Sequence, residues 1–179
     1  MHIDYLKSIA VIHVDMDGTI AKWNENATAK QLHSKGYFAN LESTPLLPVI
    51  KRLLDAGFDV RIRSSIYDDV AACDKRKWLN DHGLQGIPHV FIPYGTPKSS
   101  TLPQDGKIHI LIDDHSPNLF DWVQNVKNGV AIKYRNHINC KNGTWRGWRL
   151  DERMSEVQSY MYLLCVMDTI SKIKKDAIG

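Results

Sequence analysis

Cysteine is scarce in this chain and wrongly spaced for pairing. Cys73, Cys140 and Cys165 are odd in number, far apart and without metal-ligand spacing. They read as reduced thiols of a cytoplasmic protein and exclude a disulfide-built scaffold. The opening Met1-His2-Ile3-Asp4 has neither the basic start nor the apolar core of a secretion signal. The longest apolar stretch, Tyr160 to Met167, is far too short to span a bilayer, so no membrane role is expected. The eight histidines show no ligand spacing; His13 and His109 fall inside predicted strands as hydrogen-bonded residues, and no zinc is implied. A strong excess of one charge is missing too. A net +3 over 179 residues suits a small anionic partner, and no Lys/Arg run is dense enough to argue for nucleic acid.

What is present is ordinary in bulk, with 43% hydrophobic and 24% charged residues, and its length fits one domain, residues 1–179, with a sizeable core. Ile9 to Val14 is a β-branched apolar run that predicts a buried strand. Residues 20–47 are a polar excursion. A short helix is expected within 24–34, capped at Asn24 or Asn26 and stopped near Gly36, followed by an aromatic loop over 36–41; together they make a small helical cap inserted after the first strand. From Pro45 the pattern turns helical, with Val49, Ile50, Leu53 and Leu54 on one face and Gly57 at the end. Residues 58–63 alternate as a second strand. A helix capped by Asp68 or Asp69 runs to Asp81. Residues 87–92 and 107–112 are further strands, 117–125 a helix, and 129–133 a last strand. Residues 136–148 look irregular, and 155–173 form an amphipathic helix with Val157, Tyr160, Met161, Leu164 and Ile170 on its apolar side. Alternating strands and helices of these lengths predict an α/β fold with a parallel sheet covered on both faces.

Four polar clusters sit at the carboxyl ends of four of these strands, where open α/β sheets bind ligands. They are Asp15 and Asp17, Ser64 and Ser65, Lys98 on the loop after the third strand, and Asp113 and Asp114. Asp15 and Asp17 point the same way because side chains alternate with period two, and Gly18 lets the backbone turn sharply after them. Two such acids repel unless a cation or a shared proton relieves them. Each cluster alone has a plain structural explanation, as a turn, a cap or a solvated lysine. Acid, hydroxyl, lysine and acid at successive strand ends point jointly to chemistry.

This order resembles the haloacid dehalogenase superfamily, whose first motif, Asp-x-Asp-Gly-Thr after the first strand, matches Asp15 to Thr19. Its Ser/Thr, Lys and acidic-pair motifs match Ser64, Lys98 and Asp113-Asp114 behind Ile110-Leu111-Ile112. The resemblance covers about residues 9–133 and implies a Rossmann-like three-layer α/β/α core with the cap at about 20–47. The stretch from Gly36 to Leu41 and the segment from Ile132 to Trp145 look like the 5'(3')-deoxyribonucleotidase group and nucleotidase-like relatives, although the insert is smaller than their helical cap. The implied reaction is hydrolysis of a phosphomonoester, by magnesium and an aspartyl-phosphate. Asp15 is the expected nucleophile and Asp17 the acid/base. Ser64 and Lys98 are expected to hold the phosphoryl oxygens, with Gly18, Thr19 and Ser65 also binding substrate. Magnesium is expected on Asp15, the Asp17 carbonyl and one carboxylate of the Asp113/Asp114 pair. The expected substrate is a small phosphorylated metabolite, a (deoxy)nucleoside monophosphate first of all, with Trp23 and Phe38 of the cap available to stack on its base.

Two alternatives share the chemistry: a phosphatase of another small metabolite, and one that processes nucleic-acid ends. The latter needs a basic groove with stacking aromatics. Arg135, Lys141, Arg146 and Arg149 with Trp145 and Trp148 would supply one; a solvated loop with tryptophans packed on the core is preferred. Motif order counts against a response-regulator receiver, whose acidic pair comes first and lysine last. Oligomeric state stays open, a homodimer being one way to supplement a small lid.

Overall fold

The structure is a computed structural model that describes residues 3–103, 105–139 and 144–176. Six strands form one wholly parallel sheet: β1 (Ala10–Val14), β2 (Asp59–Ile66), β3 (His89–Pro93), β4 (Ile108–Asp113), β5 (Gly129–Arg135) and β6 (Trp148–Asp151), in the order β3-β2-β1-β4-β5-β6. The helices are α1 (Ile3–Ile9), α2 (Ala29–Leu32), α3 (Leu47–Asp55), α4 (Asp69–Asp81), α5 (Ser116–Asn125) and α6 (Glu156–Asp176), with a 3-10 turn at Phe38–Asn40. This is the Rossmann-like α/β arrangement, with helices flanking the sheet.

Period two divides the side chains of each strand between two cores. Ala10, Ile12, Val14, Ile110, Ile112 and Ile132 pack with α3 and α6 on one face. Leu111 and Ala131 face the other way and meet Leu119, Trp122 and Val126 of α5 and its end. His13 and His109 belong to this second face. Their rings share a hydrogen bond of 3.0 Å, and His109 is also bonded to Asp105 at 2.9 Å. Burial and the nearby Arg63 push His13 down to about 3, so it stays neutral.

Several sequence expectations are corrected. The helix expected within 24–34 shrinks to the single turn of α2, because Thr28 and Gln31 form a capping box that starts the helix there. β2 runs past Arg63 to Ile66, so Ser64 and Ser65 at its carboxyl end are strand residues. β5 is not the last strand: β6 extends the sheet from within the segment expected to be irregular. On α6, Tyr160, Leu164 and Ile170 are buried as expected, but Val157 and Met161 are exposed; Leu163, Val166 and Met167 complete its core face instead. Cys73 and Cys165 are free and exposed, and Cys140, Lys141 and Gly143 lie outside the described residues. Among the described residues, no helix is long and apolar enough to cross a membrane.

Trp122 anchors the second core. Its ring is fully buried, and its indole N–H donates to the His109 carbonyl at 2.9 Å. Trp122→Ala is expected to cost about 3–5 kcal/mol of unfolding free energy, read from urea denaturation. A cost under about 1 kcal/mol would mean that α5 does not depend on this contact.

Candidate active site

Strand order makes the crevice. β1 connects outward to β2 and β3, whereas β4 connects to β5 and β6 on the other side, so the switch point lies between β1 and β4. Asp15 directly follows β1, and Asp113 ends β4, with Asp114 next to it. Beyond Asp15 the chain folds onto one carbonyl: Met16 O accepts from the N–H groups of Thr19, Ile20 and Ala21 at 3.1, 3.0 and 2.9 Å. Gly18 makes this turn possible with φ +76°, and its missing side chain leaves room for a neighbour. A Cβ there would lie 2.4 Å from Asp114 Oδ2.

Two buried lysines tie the acids together. Lys98 Nζ lies 2.6 Å from both Asp15 Oδ1 and Asp113 Oδ2. Burial opposes its charge, but Asp113 and Asp15 outweigh that and hold Lys98 above the usual lysine range. Lys75, on α4, reaches Asp17 Oδ2 at 2.5 Å, Ser64 Oγ at 2.9 Å and the Ser65 carbonyl at 2.7 Å. Asp113 also accepts from the His115 N–H and from Asn118. Asp114 is held by Asn136 Nδ2 at 3.1 Å, and its own N–H donates to Thr19 Oγ1. Asn139 Nδ2 bonds the Asp114 carbonyl at 3.0 Å.

Four carboxylates therefore face two lysines. Burial raises the Asp17 carboxyl above its ordinary range; Lys75 pulls the other way and Asp15 adds to the rise. Asp113 is raised for the same reason, against Lys98. Asp114 is raised well above its ordinary value by burial, then by Asp113 and Asp15. A buried excess of negative charge is costly and calls for protons or a cation. Ligand oxygens of Asp15, Asp113 and Asp114 all lie within 4.8 Å of one another, a set that could hold a metal ion. All-oxygen donors around a glycine-made gap fit a hard divalent cation.

Above these groups opens a cavity of about 520 Å³, lined by Asp15, Asp17, Ser65, Lys98 and Asp114 at its base and by Trp23, Tyr67 and Tyr94 among its walls. The expected site residues divide accordingly. Ser65 lines the cavity, whereas Ser64 is fully buried behind it on Lys75. Gly18 and Thr19 stand outside the lining and support Asp114. Trp23 lines the cavity. Phe38 does not; its ring is fully buried beneath Lys75, 4.8 Å from Nζ, and a ring so enclosed packs and cannot stack on a ligand. Asp17 presents its side chain to Lys75, so the acids clustered for a metal are Asp15, Asp113 and Asp114.

Sequence reasoning missed Lys75, Tyr67, Tyr94, Asn136 and Asn139. Asp17 Oδ1 and the Tyr37 hydroxyl are both buried without a hydrogen-bond partner. Burial, then the Asp17 charge, raises the Tyr37 phenol.

No protein-family model matches the chain, and no curated protein matches it in sequence. Among solved structures, a chain in the Pnkp1/Rnl/Hen1 complex is similar in fold, with a TM-score of 0.51 at 12% identity. The likeness covers 69% of this chain and 45% of that one, less than half of the neighbour's length. At that identity it shows the α/β fold and nothing finer.

The raised acids predict a linked dependence on pH and metal. A carboxyl raised in the folded state contributes stability at low pH that is lost as pH rises through its raised value. Without a divalent cation the protein is therefore expected to lose stability as pH rises above the ordinary carboxylate range. Magnesium should then raise the thermal midpoint more at about pH 7.5 than at about pH 4. Asp114→Asn should remove most of that gain. An equal gain at both pH values would mean that the acids are not the binding site.

Proposed function

We propose that this protein is a metal-dependent phosphomonoesterase that works through an aspartyl-phosphate on Asp15. The observation that carries this reading is the set of four carboxylates and two lysines at the switch point, beneath one cavity, with more negative than positive charge. Magnesium fits the Asp15, Asp113 and Asp114 oxygens, where it would neutralise phosphate and carboxylate and hold them in line. Lys98 takes Asp15 Oδ1, and we assign Oδ2 to the attack on phosphorus. Asp17 gives a proton to the leaving oxygen and later takes one from the hydrolytic water; a carboxyl kept high by burial suits that role. Ser65 at the cavity wall, with Lys98, grips the phosphoryl oxygens as charge develops.

The substrate we favour is a nucleoside monophosphate. Trp23, Tyr67 and Tyr94 give the cavity aromatic walls, and Tyr67 and Tyr94 lie 4.7 Å apart, ring to ring. A nucleic-acid end is the second reading, because it presents the same phosphomonoester to the same acids. Charge weighs against it. The one Lys or Arg side chain lining the cavity, among the described residues, is Lys98, which already bridges two acids. Of the two tryptophans expected in a strand-tracking patch, Trp145 is buried beside Phe120, whereas Trp148 is exposed with its ring edge-on to Tyr162. Arg149 donates to the Trp145 carbonyl.

Hydrolysis of p-nitrophenyl phosphate should need magnesium and vanish in chelator. Asp15→Asn should fold normally but neither turn over nor accept a phosphoryl group. Near-parental turnover in that variant would end the reading. Substrate choice is tested separately: Trp23→Ala or Tyr94→Ala should raise KM for a nucleoside monophosphate and spare p-nitrophenyl phosphate. Stacking is worth on the order of 1–3 kcal/mol per base, or roughly tenfold or more in kcat/KM. Equal losses on both substrates would remove the nucleotide and leave the phosphatase.

A further inference from the structure

Lys75 lies outside every strand-end cluster, yet it touches the acid of the proposed reaction. It projects from the middle of α4, is 1% exposed and does not line the cavity. An ammonium has three N–H donors. All three are used, on Asp17 Oδ2, Ser64 Oγ and the Ser65 carbonyl, and the Phe38 ring closes its remaining side at 4.8 Å. Nothing is left with which Lys75 could bind phosphate. Its geometry acts on Asp17 instead. One carboxylate oxygen is pinned, and the other, Oδ1, is buried without a hydrogen-bond partner. Asp17 itself lines the cavity, so the rotamer that Lys75 sets decides how the carboxyl is presented there.

We infer that Lys75 is the positioning residue for the acid/base. It fixes the Asp17 rotamer at the edge of the cavity, and it joins that setting to β2 through Ser64 and Ser65. This rests on the phosphatase reading. It assigns Lys75 no contact with phosphate and no part in the attack on phosphorus.

Leaving groups separate this role from others. Expulsion of p-nitrophenolate needs little protonation, whereas an alkoxide must be protonated as it departs. Displacing a catalytic group by about 1 Å can cost on the order of a hundredfold in rate. Asp17 also serves the later hydrolysis, which is common to all substrates, so the comparison is made in kcat/KM, which reports the steps up to departure of the leaving group. Lys75→Met should lower kcat/KM for an alkyl phosphate, such as a nucleoside monophosphate, by about tenfold to a hundredfold more than for p-nitrophenyl phosphate. Asp17→Asn/Lys75→Met removes both members of the buried pair and leaves no uncompensated charge, so it guards against a single variant that fails to fold. It should match Asp17→Asn on p-nitrophenyl phosphate to within about twofold, because Lys75 has no role once its acid is gone. Equal losses of kcat/KM on both substrates, or a further tenfold loss in the double variant, would overturn the inference and leave the phosphatase standing. A parent enzyme without phosphatase activity would overturn both.

Discussion

One buried ammonium holds the active end of this molecule together. Lys98 comes from the loop after β3, an edge strand, and must pass the ends of β2 and β1 to reach the gap between β1 and β4. It arrives between Asp15 and Asp113, two carboxylates that would otherwise repel across the switch point. Removing it would leave both acids buried and uncompensated, a loss of the kind that costs about 3–5 kcal/mol when one partner of a buried pair is deleted. The loop is carried across by Arg63 of β2, itself almost fully buried. Its Nε donates to the Lys98 carbonyl at 2.5 Å, and its Nη2 bonds the Thr101 hydroxyl. Burial brings the Arg63 guanidinium down to about 10, which still leaves it charged near neutrality. The reach of one lysine thus depends on a second buried cation, on the strand next to β1.

The segment over 20–47 is fastened to α4 as well as to the catalytic turn, which Thr44 Oγ1 reaches at the Thr19 carbonyl. Gly36 N–H donates to Asp74, the Trp78 indole donates to the Leu41 carbonyl, and His33 pairs with Asp68, the residue that caps α4. Phe38 completes the contact by lying under Lys75. The same helix therefore seats the segment above the site and delivers the lysine that touches Asp17. Its sequence shows why: Asp74, Lys75 and Trp78 share the inward face at helical spacing, while Cys73, Arg76 and Lys77 are exposed.

What could be read in the sequence is the chemistry that must be contiguous. Asp15-Met16-Asp17-Gly18-Thr19 and Asp113-Asp114 each combine a strand end, the acids and the turn within a few residues, so spacing alone exposes them. The sheet was legible for a similar reason, since four of its strands are largely apolar runs between turn signals and β2 opens on an alternating pattern. β6 was not, because four residues rich in Trp and Arg carry too little pattern, and only pairing with β5 makes them a strand. Lys75 was hidden because its partners lie 58 residues away at Asp17 and 11 residues away at Ser64. A lysine in an amphipathic helix reads as solvated until the fold shows it buried. Phe38 misled in the opposite sense. An aromatic residue in a polar loop suggested a ligand contact, and the fold turned it inward. Tyr67 and Tyr94 follow β2 and β3, adjacent parallel strands, and that adjacency brings their rings together where spacing could not.

The excess of buried acid also explains the irregular chain after β5. Asp114 faces Asp15 and Asp113 with Lys98 turned away to those two, so it must be held by neutral donors. Asn136 and Asn139 supply them, and they brace each other: Asn136 N–H donates to Asn139 Oδ1, while Asn136 Oδ1 accepts from the Asn139 N–H. Asn136 also reaches the Gly18 carbonyl, 118 residues away in sequence. An amide can pin a carboxylate without neutralising it, as a lysine there would. The acid keeps both its position and its demand for a cation, and that combination is what a metal site requires of its ligands before the metal arrives.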